Sequence, residues 1–588
     1  MTGAAALSGT PAGRQPGAAG PPAAAPQRAA RLEALLGDPF DPANPHGHTA
    51  LLDADERREV PEATEQLLAD ADLAAEFVPQ DLGGRLARAD ELARILRPVF
   101  RRDAALGFGF GITSLFGASA VWAEGDARQR EDTARLLLHG GRVSILHREL
   151  AHANAILRDE FTAHPAPGGG FTLGGRKDVV INADRADAFV MYARTAPTTG
   201  PGSHSVLLLD PERLPPGGLQ RLPRVNTAGM RGSRFSGIAF TDCPVPPDTL
   251  VGALGDGVLL ALRTFQVNRC LIPGVVIAGV DSVLRHAVRA ATENRPDGMP
   301  GRRRHRVLAG VFADLLACDS MAVTGLRALS LLPDSAHLLA AAVKYTMPDL
   351  LREDLEELAT ALGARGYERG PLYGGFQKLV RDLPVAGLGH AGTAACQAVL
   401  VPQLRTLART SWFSSSEPPD LLFQPEAPLP AFDYRRLTVS GTEDRLTAAL
   451  VAIAERLGEL RSAGPVWAAL SDLAEAFVQE VRALREECTA LPGHTALFAD
   501  PKACVLADRY ALVLAAAACL GVRQGQDGTG SFLDDPSWAV LALSRIGRRL
   551  GVPVPELPDQ VTGTVITEVL ERYRDGRSFD LYATQLAG

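Results

Sequence analysis

Apolar residues recur at helical spacing along the chain from Arg31 to about residue 140. Four segments carry the pattern: RLEALLGD, EATEQLLADADLAAEF, ADELARILRPVF and DARQREDTARLLLHGG. Apolar positions three and four residues apart place their side chains on one face of an α-helix. The glycine pair at 140–141 is suited to end the last of these helices. The pattern predicts an N-terminal helical domain over residues 31–140.

Between about residue 141 and residue 255 the apolar runs become short and β-rich, and glycine and proline separate them. The runs are RVSIL, GFTLGG, KDVVIN, AFVMYART, SHSVLLLD and GIAFTDCPVP. Strands at this spacing are typical of a small antiparallel sandwich or barrel. The region has no alternation of strands with helices and no G-x-G-x-x-G motif, which argues against a Rossmann nucleotide site. Residues 141–255 are therefore predicted to form a central β domain.

Helical periodicity returns after residue 256. A long amphipathic stretch covers residues 258–294, and Pro273 inside it is expected to kink the helix. A helical bundle domain is predicted over residues 256–430, and a proline-rich connection near its end leads to an additional helical domain over residues 431–588. The predicted fold class is mainly α with a central β domain.

Composition adds three expectations. Residues 1–30 are rich in Ala, Gly and Pro, and we expect a disordered tail because they hold almost nothing to bury. The formal net charge of −8 argues against nucleic acid as a partner. Seven cysteines without C-x-x-C spacing indicate a reducing compartment. Since there is no secretory signal pattern and no apolar run of about 18 residues, we expect a cytoplasmic protein with no membrane span.

The stretch VRDLPVAGLGHAGTAACQ, residues 380–397, is a candidate for binding chemistry. Gly387, Gly389 and Gly392 would each lower the stability of a regular helix, so the segment is predicted to be a loop. A glycine-bearing loop lets backbone come close to a ligand. The loop holds His390 and, after Asp382, no carboxylate.

Four strings, in order along the chain, resemble segments of the acyl-CoA dehydrogenase and oxidase superfamily. TLGGRKDVVINADRADAFVMYART is similar to the family's L-N-G-x-K-x-W-I-T-N-G segment, and GMRGSRFSGIAFTDCPVP is similar to its G-x-R-G-S…F-x-x-V-x-V-P segment. Asn268-Arg269 stands where the family has its helix-borne E/T-R pair. LGARGYERG…FQKLVRDLPVAGLGHAGT is similar to L-G-G-x-G-Y…R-D-A…Y-E-G-T. The likeness covers roughly residues 60–410, and the additional C-terminal region looks more like the oxidase branch.

The resemblance implies an FAD-dependent enzyme that acts on acyl thioesters, with acyl-CoA or an acyl carrier protein as partner. In this family a base removes the α-proton while the β-hydrogen leaves as hydride to flavin N5. It also implies a homodimer or homotetramer. The residues implied to bind the cofactor are Asn182, Arg269, Gly363, Gly392 and Thr393. Those implied to border the substrate are Arg231, His152 and Ala391.

This chain lacks the family's catalytic glutamate. Alignment on Gly392-Thr393 places Ala391 at its position, and alignment on Arg381-Asp382 places His390 there. Asn268 occupies the second position at which some members carry a glutamate. One hypothesis is that a neutral histidine serves as the base. The candidates are His390 and a cluster made by His147, Glu149 and His152. The alternative is that these residues bond to one another in a site that has lost its chemistry. The H-x-E-x-x-H spacing does not match a helical metal motif, so no metal is predicted.

The flavin contacts of the family are depleted as well. The W-I-T-N string is Val179-Val180-Ile181-Asn182 here, and the T-E-P-G-A-G-S-D string becomes HRELAHAN at 147–154. Three functions therefore stay open. The first is an acyl-thioester dehydrogenase or oxidase, with secondary metabolism as one setting. The second is a flavin monooxygenase of the same fold, which needs no α-proton base, and the third is a flavin-free acyl-binding or scaffold relative.

Three further segments carry weaker signals. GRRRHR at 301–306 is either a site for the phosphates of CoA or an acidic carrier protein, or a solvated loop between helices, which we favour. GDPFDPANPHGH at 37–48 is predicted to be an Asx- and Pro-rich turn. Trp412 and Phe413 are predicted to lie in the core or an interface.

Overall fold

The computed structural model describes residues 23–147, 156–293, 301–389, 392–492 and 500–588, apart from the side chains of Ile156 and Thr393. Helix α1 begins at Ala25 with Pro26 in its first turn, where proline is tolerated, so the tail predicted over residues 1–30 is at least six residues too long. Residues 1–22 lie outside the described residues. The N-terminal helices are α1 (Ala25–Leu36), α2 (His48–Arg57), α3 (Glu62–Asp70), α4 (Ala89–Arg102), α5 (Ala104–Leu106), α6 (Thr113–Glu124) and α7 (Ala127–Leu138), with a π-helical turn at Gly107–Ile112.

The segment between α1 and α2 forms the Asx-rich turn that its sequence predicts. The side chains of Asp38, Asp41 and Asn44 each accept a hydrogen bond from the backbone N–H two residues further along. These short bonds substitute for regular secondary structure in a proline-rich stretch.

The central domain is one sheet of eight strands. They are β1 (Val143–Leu146), β2 (Thr162–Pro165), β3 (Phe171–Ile181), β4 (Ala188–Arg194), β5 (His204–Leu209), β6 (Leu219–Arg221), β7 (Phe235–Val245) and β8 (Leu250–Val251). The strand order is β6-β7-β3-β2-β4-β5-β8, and β1 pairs with β4. The β1–β4 and β2–β4 pairs are parallel, so the sheet is mixed and not wholly antiparallel as predicted. Long connections allow parallel pairing, and strand spacing alone does not reveal it.

Six helices form the bundle that follows: α8 (Gly257–Thr292), α9 (Arg302–Leu331), α10 (Ala336–Leu362), α11 (Gly374–Asp382), α12 (Pro384–Leu388) and α13 (Thr393–Thr410). Helix α8 runs through Pro273 as one helix. The GRRRHR cluster begins α9 with Gly301 as its N-cap, so it is the start of a helix and not the loop we expected.

The glycine-bearing stretch after Asp382 also differs from the prediction. Residues 384–388 form α12, which Pro384 begins in a position that suits proline. Gly387 is tolerated because this helix has only five residues, and Gly389 ends it. The backbone therefore makes a short helix at 384–388, and Gly392 caps the start of α13.

The additional C-terminal region contains α14 (Arg445–Leu460), α15 (Pro465–Thr489), α16 (Pro501–Gln524), α17 (Pro536–Leu550) and α18 (Asp559–Arg574). The proline-rich connection that precedes it is held by Arg327, a fully buried side chain that donates to the Leu421 carbonyl over 2.6 and 2.9 Å. Trp412 is buried as predicted, and its indole N–H donates to Asp444 over 3.1 Å. Phe413 is half-buried beside the guanidinium groups of Arg482 and Arg485.

The last residues of the chain return to the N-terminal helices. Asp580 is buried within 3.2 Å of Arg97 on α4, and the Leu581 N–H donates to Asp319 on α9 over 2.8 Å. These contacts join α4, α9 and the C-terminus through one charged cluster. Its further members are Arg101, Glu33 and Asp281.

Among the described residues, four helical segments are long and apolar enough to cross a membrane by length and composition, which the sequence reading missed: Ala104–Glu124, Gly257–Thr292, Arg302–Leu331 and Pro501–Gln524. In each, 72–94% of the most apolar window is buried inside the protein, so their apolar character is used in packing. All seven cysteines are free thiols.

A buried imidazole near the N-terminal turn predicts a loss of stability in acid. His286 packs edge-on against His48 and Phe40, with ring centroids 5.5 and 5.6 Å away. Burial, aided by Arg285 and Arg289, lowers the pKa of His286 to about 4. Below pH 6.5 the unfolded chain therefore takes up a proton that the folded chain refuses until about pH 4. The free energy of unfolding should fall by up to about 3 kcal/mol across this window.

Urea unfolding at a series of pH values measures this effect. The variant His286→Leu should show a shallower fall, and His139→Leu, which changes an exposed histidine, should keep the wild-type slope. The same slope in His286→Leu as in the wild type would contradict the assignment. His48, whose pKa burial also lowers, is expected to leave some slope in either variant.

Candidate functional site

The first third of α8, around residues 265–269, packs against the end of β1 and against β4. Phe265 on α8 contacts the ring of His147 at a centroid distance of 5.3 Å and the ring of Tyr192 at 5.8 Å. His147 directly follows β1 and is half-buried, and Tyr192 belongs to β4. The predicted base candidate His147 is thus brought against the helix that carries Asn268 and Arg269.

One turn after Phe265, α8 meets the first turn of α13 through Arg269. The guanidinium of Arg269 donates a hydrogen bond to the thiol of Cys396. Gly392 is the N-cap of α13 and makes no side-chain bond, because it has no side chain. The N–H of Ala395 donates to the Gly392 carbonyl over 2.9 Å, and no side chain at Gly392 caps the N–H groups before it, where the positive end of the helix dipole lies.

The charge of this region is positive. Arg269 and Lys344 are 2% and 0% exposed, and both act electrostatically on Cys396. Lys344 donates to the Ala386 carbonyl on α12. Burial raises the pKa of the Cys396 and Cys270 thiols, so neither is a nucleophile near neutral pH. The arrangement suits a ligand oxygen that carries or develops negative charge.

Two of these polar residues were missed as binding groups when the sequence was read. Asn268 was considered only as a failed base, and Lys344 was passed over inside an apolar helix. The available signal was the presence of Asn268 and Lys344 inside the otherwise largely apolar runs FQVNRCLIPG and AAAVKYT, since a polar side chain on a buried helix face needs a reason to be there.

Several predicted site residues lie outside the described residues. His390, Glu149, His152 and Ala391 are among them, and so is the side chain of Thr393. Their assignments as base, substrate or cofactor residues stay predictions. Within the described ranges no group of three or more His, Cys, Asp or Glu side chains is placed to hold a metal ion.

The predicted cofactor residue Asn182 is engaged by the protein itself. It follows β3 in a left-handed conformation, with φ of 61°. Its amide N–H donates to the Gly109 carbonyl in the π-helical turn, and its carbonyl accepts from Arg185 over 2.8 Å. The side chain therefore ties the β domain to the N-terminal helices.

The described contacts of Arg231 and Gly363 involve α2 and a cavity beside α12. Arg231 lies 4.0 Å from Asp55 on α2. Gly363 ends α10 with φ of 59° and borders an apolar cavity of about 740 Å³, which α12 also lines through Pro384 and Leu388. The assignment of Arg231 to the substrate and of Gly363 to the cofactor stays a prediction.

The motif that contains Arg231 has a structural role. A Cβ added to Gly229 would lie 1.9 Å from the Arg381 carbonyl oxygen, so only glycine fits there. The next N–H, that of Met230, donates to Asp382 at the end of α11. Two of the strings noted in the sequence thus meet and fix the start of the stretch that leads to α13.

Comparisons with known proteins agree with this architecture. No profile of a known protein family matches the chain. It is 25% identical to the mitochondrial isovaleryl-CoA dehydrogenase of Bos taurus over 210 residues, which are 36% of this chain and 49% of that protein. It is 24% identical to the cyclohex-1-ene-1-carbonyl-CoA dehydrogenase of Geobacter metallireducens over 362 residues, 58% of this chain and 89% of that protein. The chain spans about half the length of the first of these relatives.

A solved acyl-CoA dehydrogenase from Bacillus anthracis, complexed with FAD, shares the fold over 93% of this chain and 95% of its own, with a TM-score of 0.65 and 15% identity. This coverage includes the additional C-terminal helical region, so the shared fold extends to that region. The sequence likeness and the shared fold point the same way: the chain is similar in sequence to acyl-CoA dehydrogenases and has the acyl-CoA dehydrogenase fold.

Proposed function

We propose that the protein is an FAD-dependent oxidoreductase that introduces an α,β double bond into an acyl thioester. The observation that carries the proposal is the junction of α8, the end of β1 and the first turn of α13. His147, Asn268, Arg269 and Gly392, which come from distant parts of the sequence, lie at the elements that meet there. The substrate is an acyl-CoA or an acyl carrier protein, and the enzyme works in the cytoplasm.

The described residues fit a flavin in one respect that the structure itself supplies. The buried amide of Asn268 makes no hydrogen bond with the described protein groups, and no side chain caps the start of α13. Both features suit a ligand rich in hydrogen-bond acceptors. Gly392 and Arg269 would hold the cofactor at this end. When bound, FAD supplies the acceptor for the hydride that leaves the acyl chain.

The chain's own residues do the rest of the work. The first turn of α13 and the cation of Arg269 stabilise negative charge on the thioester oxygen as the α-proton leaves. A histidine takes that proton, and His147 is the described candidate. His390, the other candidate, adjoins the N-cap of α13 in sequence.

Absorbance of the purified protein tests the proposal. After incubation with FAD and desalting, we expect flavin bands that bleach when an acyl thioester is added without oxygen. Replacing the catalytic histidine with alanine should lower turnover by about 100- to 10,000-fold. His147→Ala and His390→Ala are the test variants, and His164→Ala, at an exposed histidine on β2, is the control. Full turnover in both test variants would contradict the assignment of a histidine as the base.

A flavin-free acyl-binding protein is the second candidate, and the engagement of Asn182 by Gly109 and Arg185 favours it. A protein that stays colourless with FAD and still binds an acyl thioester would support this candidate against the first. A requirement for a nicotinamide cofactor and a flavin reductase would instead support an oxygenase.

A further inference from the structure

A small cavity of about 40 Å³ lies where α2, α4, α8 and α11 meet. One water needs about 10–15 Å³ of such space, so the cavity has room for a few waters or for one small ion. Part of its wall is apolar, and the rest is made by buried imidazole, guanidinium, ammonium and carboxylate groups. The hydrogen-bond groups on this wall that have no partner indicate what the cavity can hold.

The imidazole of His286 opens on this cavity. The residue is 2% exposed, and neither ring nitrogen makes a hydrogen bond within the described chain. Gly375 on α11 also lines the cavity. A Cβ added to Gly375 would have only two described atoms within 4 Å, Cε1 of His286 at 3.4 Å and Nδ1 of His286 at 4.0 Å. Open space therefore adjoins the Nδ1 edge of a buried ring that lacks a hydrogen-bond partner.

Two guanidinium groups on the same wall add free donors. Nη1 of Arg102 and Nε of Arg101 are buried and have no hydrogen-bond partner among the residues that the structure describes. Through other nitrogens both arginines pair with Glu33, at 3.5 and 3.3 Å. A guanidinium nitrogen can only donate, and a neutral imidazole donates through one of its nitrogens. The cavity therefore offers donors and calls for an acceptor.

The carboxylates of the wall are already engaged. Asp103 accepts from the Lys378 ammonium over 2.9 Å, Asp382 bonds to the same ammonium, and each carboxylate also accepts from backbone N–H groups. The lining residues carry three cations, Arg101, Arg102 and Lys378, against these two carboxylates. The wall thus has an excess of one positive charge, which favours an anion over a neutral molecule.

Two carboxylate oxygens near the cavity also lack a hydrogen bond in the described structure, Oδ1 of Asp55 and Oδ1 of Asp281. Neither residue lines the cavity. Oδ1 of Asp55 lies 3.8 Å from the Lys378 ammonium, and Asp281 pairs with Arg101 through its other oxygen. These oxygens therefore face cations of the protein and do not turn the cavity into a cation site.

We propose that the cavity is a binding site for a small monovalent anion of the size of chloride, held by His286, Arg101 and Arg102. The anion accepts hydrogen bonds from their free N–H groups and joins α4 to α8. It offsets the excess positive charge of the wall. The inference is independent of the proposed function, because neither a flavin nor a thioester takes part.

Thermal unfolding of the full chain in sodium chloride and in sodium gluconate, at equal ionic strength and about pH 8, tests the inference. Gluconate is too large for the cavity. The melting temperature should rise with chloride concentration and level off, by about 1–2 °C at about ten times the Kd. Crystals grown with bromide in place of chloride should show an anomalous peak in the cavity beside His286.

Gly375→Ala is the main test variant, because its methyl group would fill the space beside Nδ1 of His286. Gly375 lies in α11 without a left-handed φ, so alanine fits its backbone. The variant should lose the stabilisation by chloride and keep at least the wild-type melting temperature in gluconate. Gly563→Ala on α18, where a Cβ meets nothing within 4 Å, is the matched control and should respond to chloride like the wild type.

His286→Leu is a second variant that removes both free nitrogens, and it should also lose the response to chloride. Equal melting temperatures of the wild type in chloride and gluconate would overturn the inference. An unchanged chloride response in both Gly375→Ala and His286→Leu would do the same. A bromide crystal with only water in the cavity would assign the free donors to water and contradict the anion site.

Discussion

Replacement of Arg97 by methionine is expected to lower the free energy of unfolding by about 3–5 kcal/mol, because it leaves buried carboxylates without their cation. Arg97 is 2% exposed on α4. Its guanidinium pairs with Asp319 on α9 and with Asp580 near the C-terminus, 3.2 Å away, and donates to the Gly274 carbonyl on α8 over 3.1 Å. One side chain thus holds four parts of the fold together. Methionine keeps the apolar stem and removes only the charge and its bonds.

Chemical denaturation measures this loss, and Arg128→Met is the control because Arg128 is 68% exposed on α7. The control should change stability by less than about 1 kcal/mol. The deficit of Arg97→Met should shrink from about pH 7 to about pH 5, since an unpaired buried carboxylate binds a proton more readily in the folded than in the unfolded chain. A deficit no larger than that of the control would show that the cluster adds little.

Replacement of Lys378 by methionine is the second large expected effect. Lys378 is buried on α11, 2.9 Å from Asp103, 3.8 Å from Asp55 and bonded to Asp382. Burial alone would lower the pKa of Lys378, but the three carboxylates outweigh it and hold the pKa above its ordinary value. Removing the ammonium leaves these carboxylates to repel one another, and we expect a loss of about 3–5 kcal/mol in the free energy of unfolding.

The double variant Lys378→Met with Asp103→Asn separates charge from packing. Asparagine keeps the N-cap of α5 that Asp103 provides to Ala105 and Leu106, but carries no charge. The double variant should therefore recover part of the stability lost in Lys378→Met. Lys502→Met, at a position 60% exposed, should be nearly neutral. No recovery in the double variant would mean that packing, and not repulsion, explains the loss.

The Lys378 cluster also matters for the site. The carboxylate of Asp382 accepts a hydrogen bond from the N–H of Met230, which has a left-handed φ of 57°. Asp382 is also the last residue of α11, just before the stretch that leads to α13. Burial raises the pKa of Asp382 against the pull of Lys378. A loss of Lys378 should therefore disturb the backbone that positions Gly392 as well as overall stability.

Much of the architecture could be predicted because it follows from local patterns. Helical periodicity located α4, α7, α8 and α14, and the β-rich runs located β3, β4, β5 and β7. The glycine at 140 adopts φ of 84° just beyond α7, as a helix stop requires. Each of these features depends on neighbours a few residues away, which the sequence displays directly. The parallel pairing of β1 with β4 joins residues more than 40 apart, and no local pattern reports it.

By itself, the sequence determined the order of domains, the place of the glycine-bearing stretch before α13 and the absence of a carboxylate where the family has its base. Only the tertiary structure decided which polar residues meet. In the folded chain the amide of Asn182 bonds to Gly109 and Arg185, whereas the amide of Asn268 is unpaired. Arg97 is buried among carboxylates from α9 and the C-terminus. The reason is physical. Hydrogen bonding and desolvation depend on atoms brought together across hundreds of residues, whereas periodicity and turn chemistry depend on the local chain.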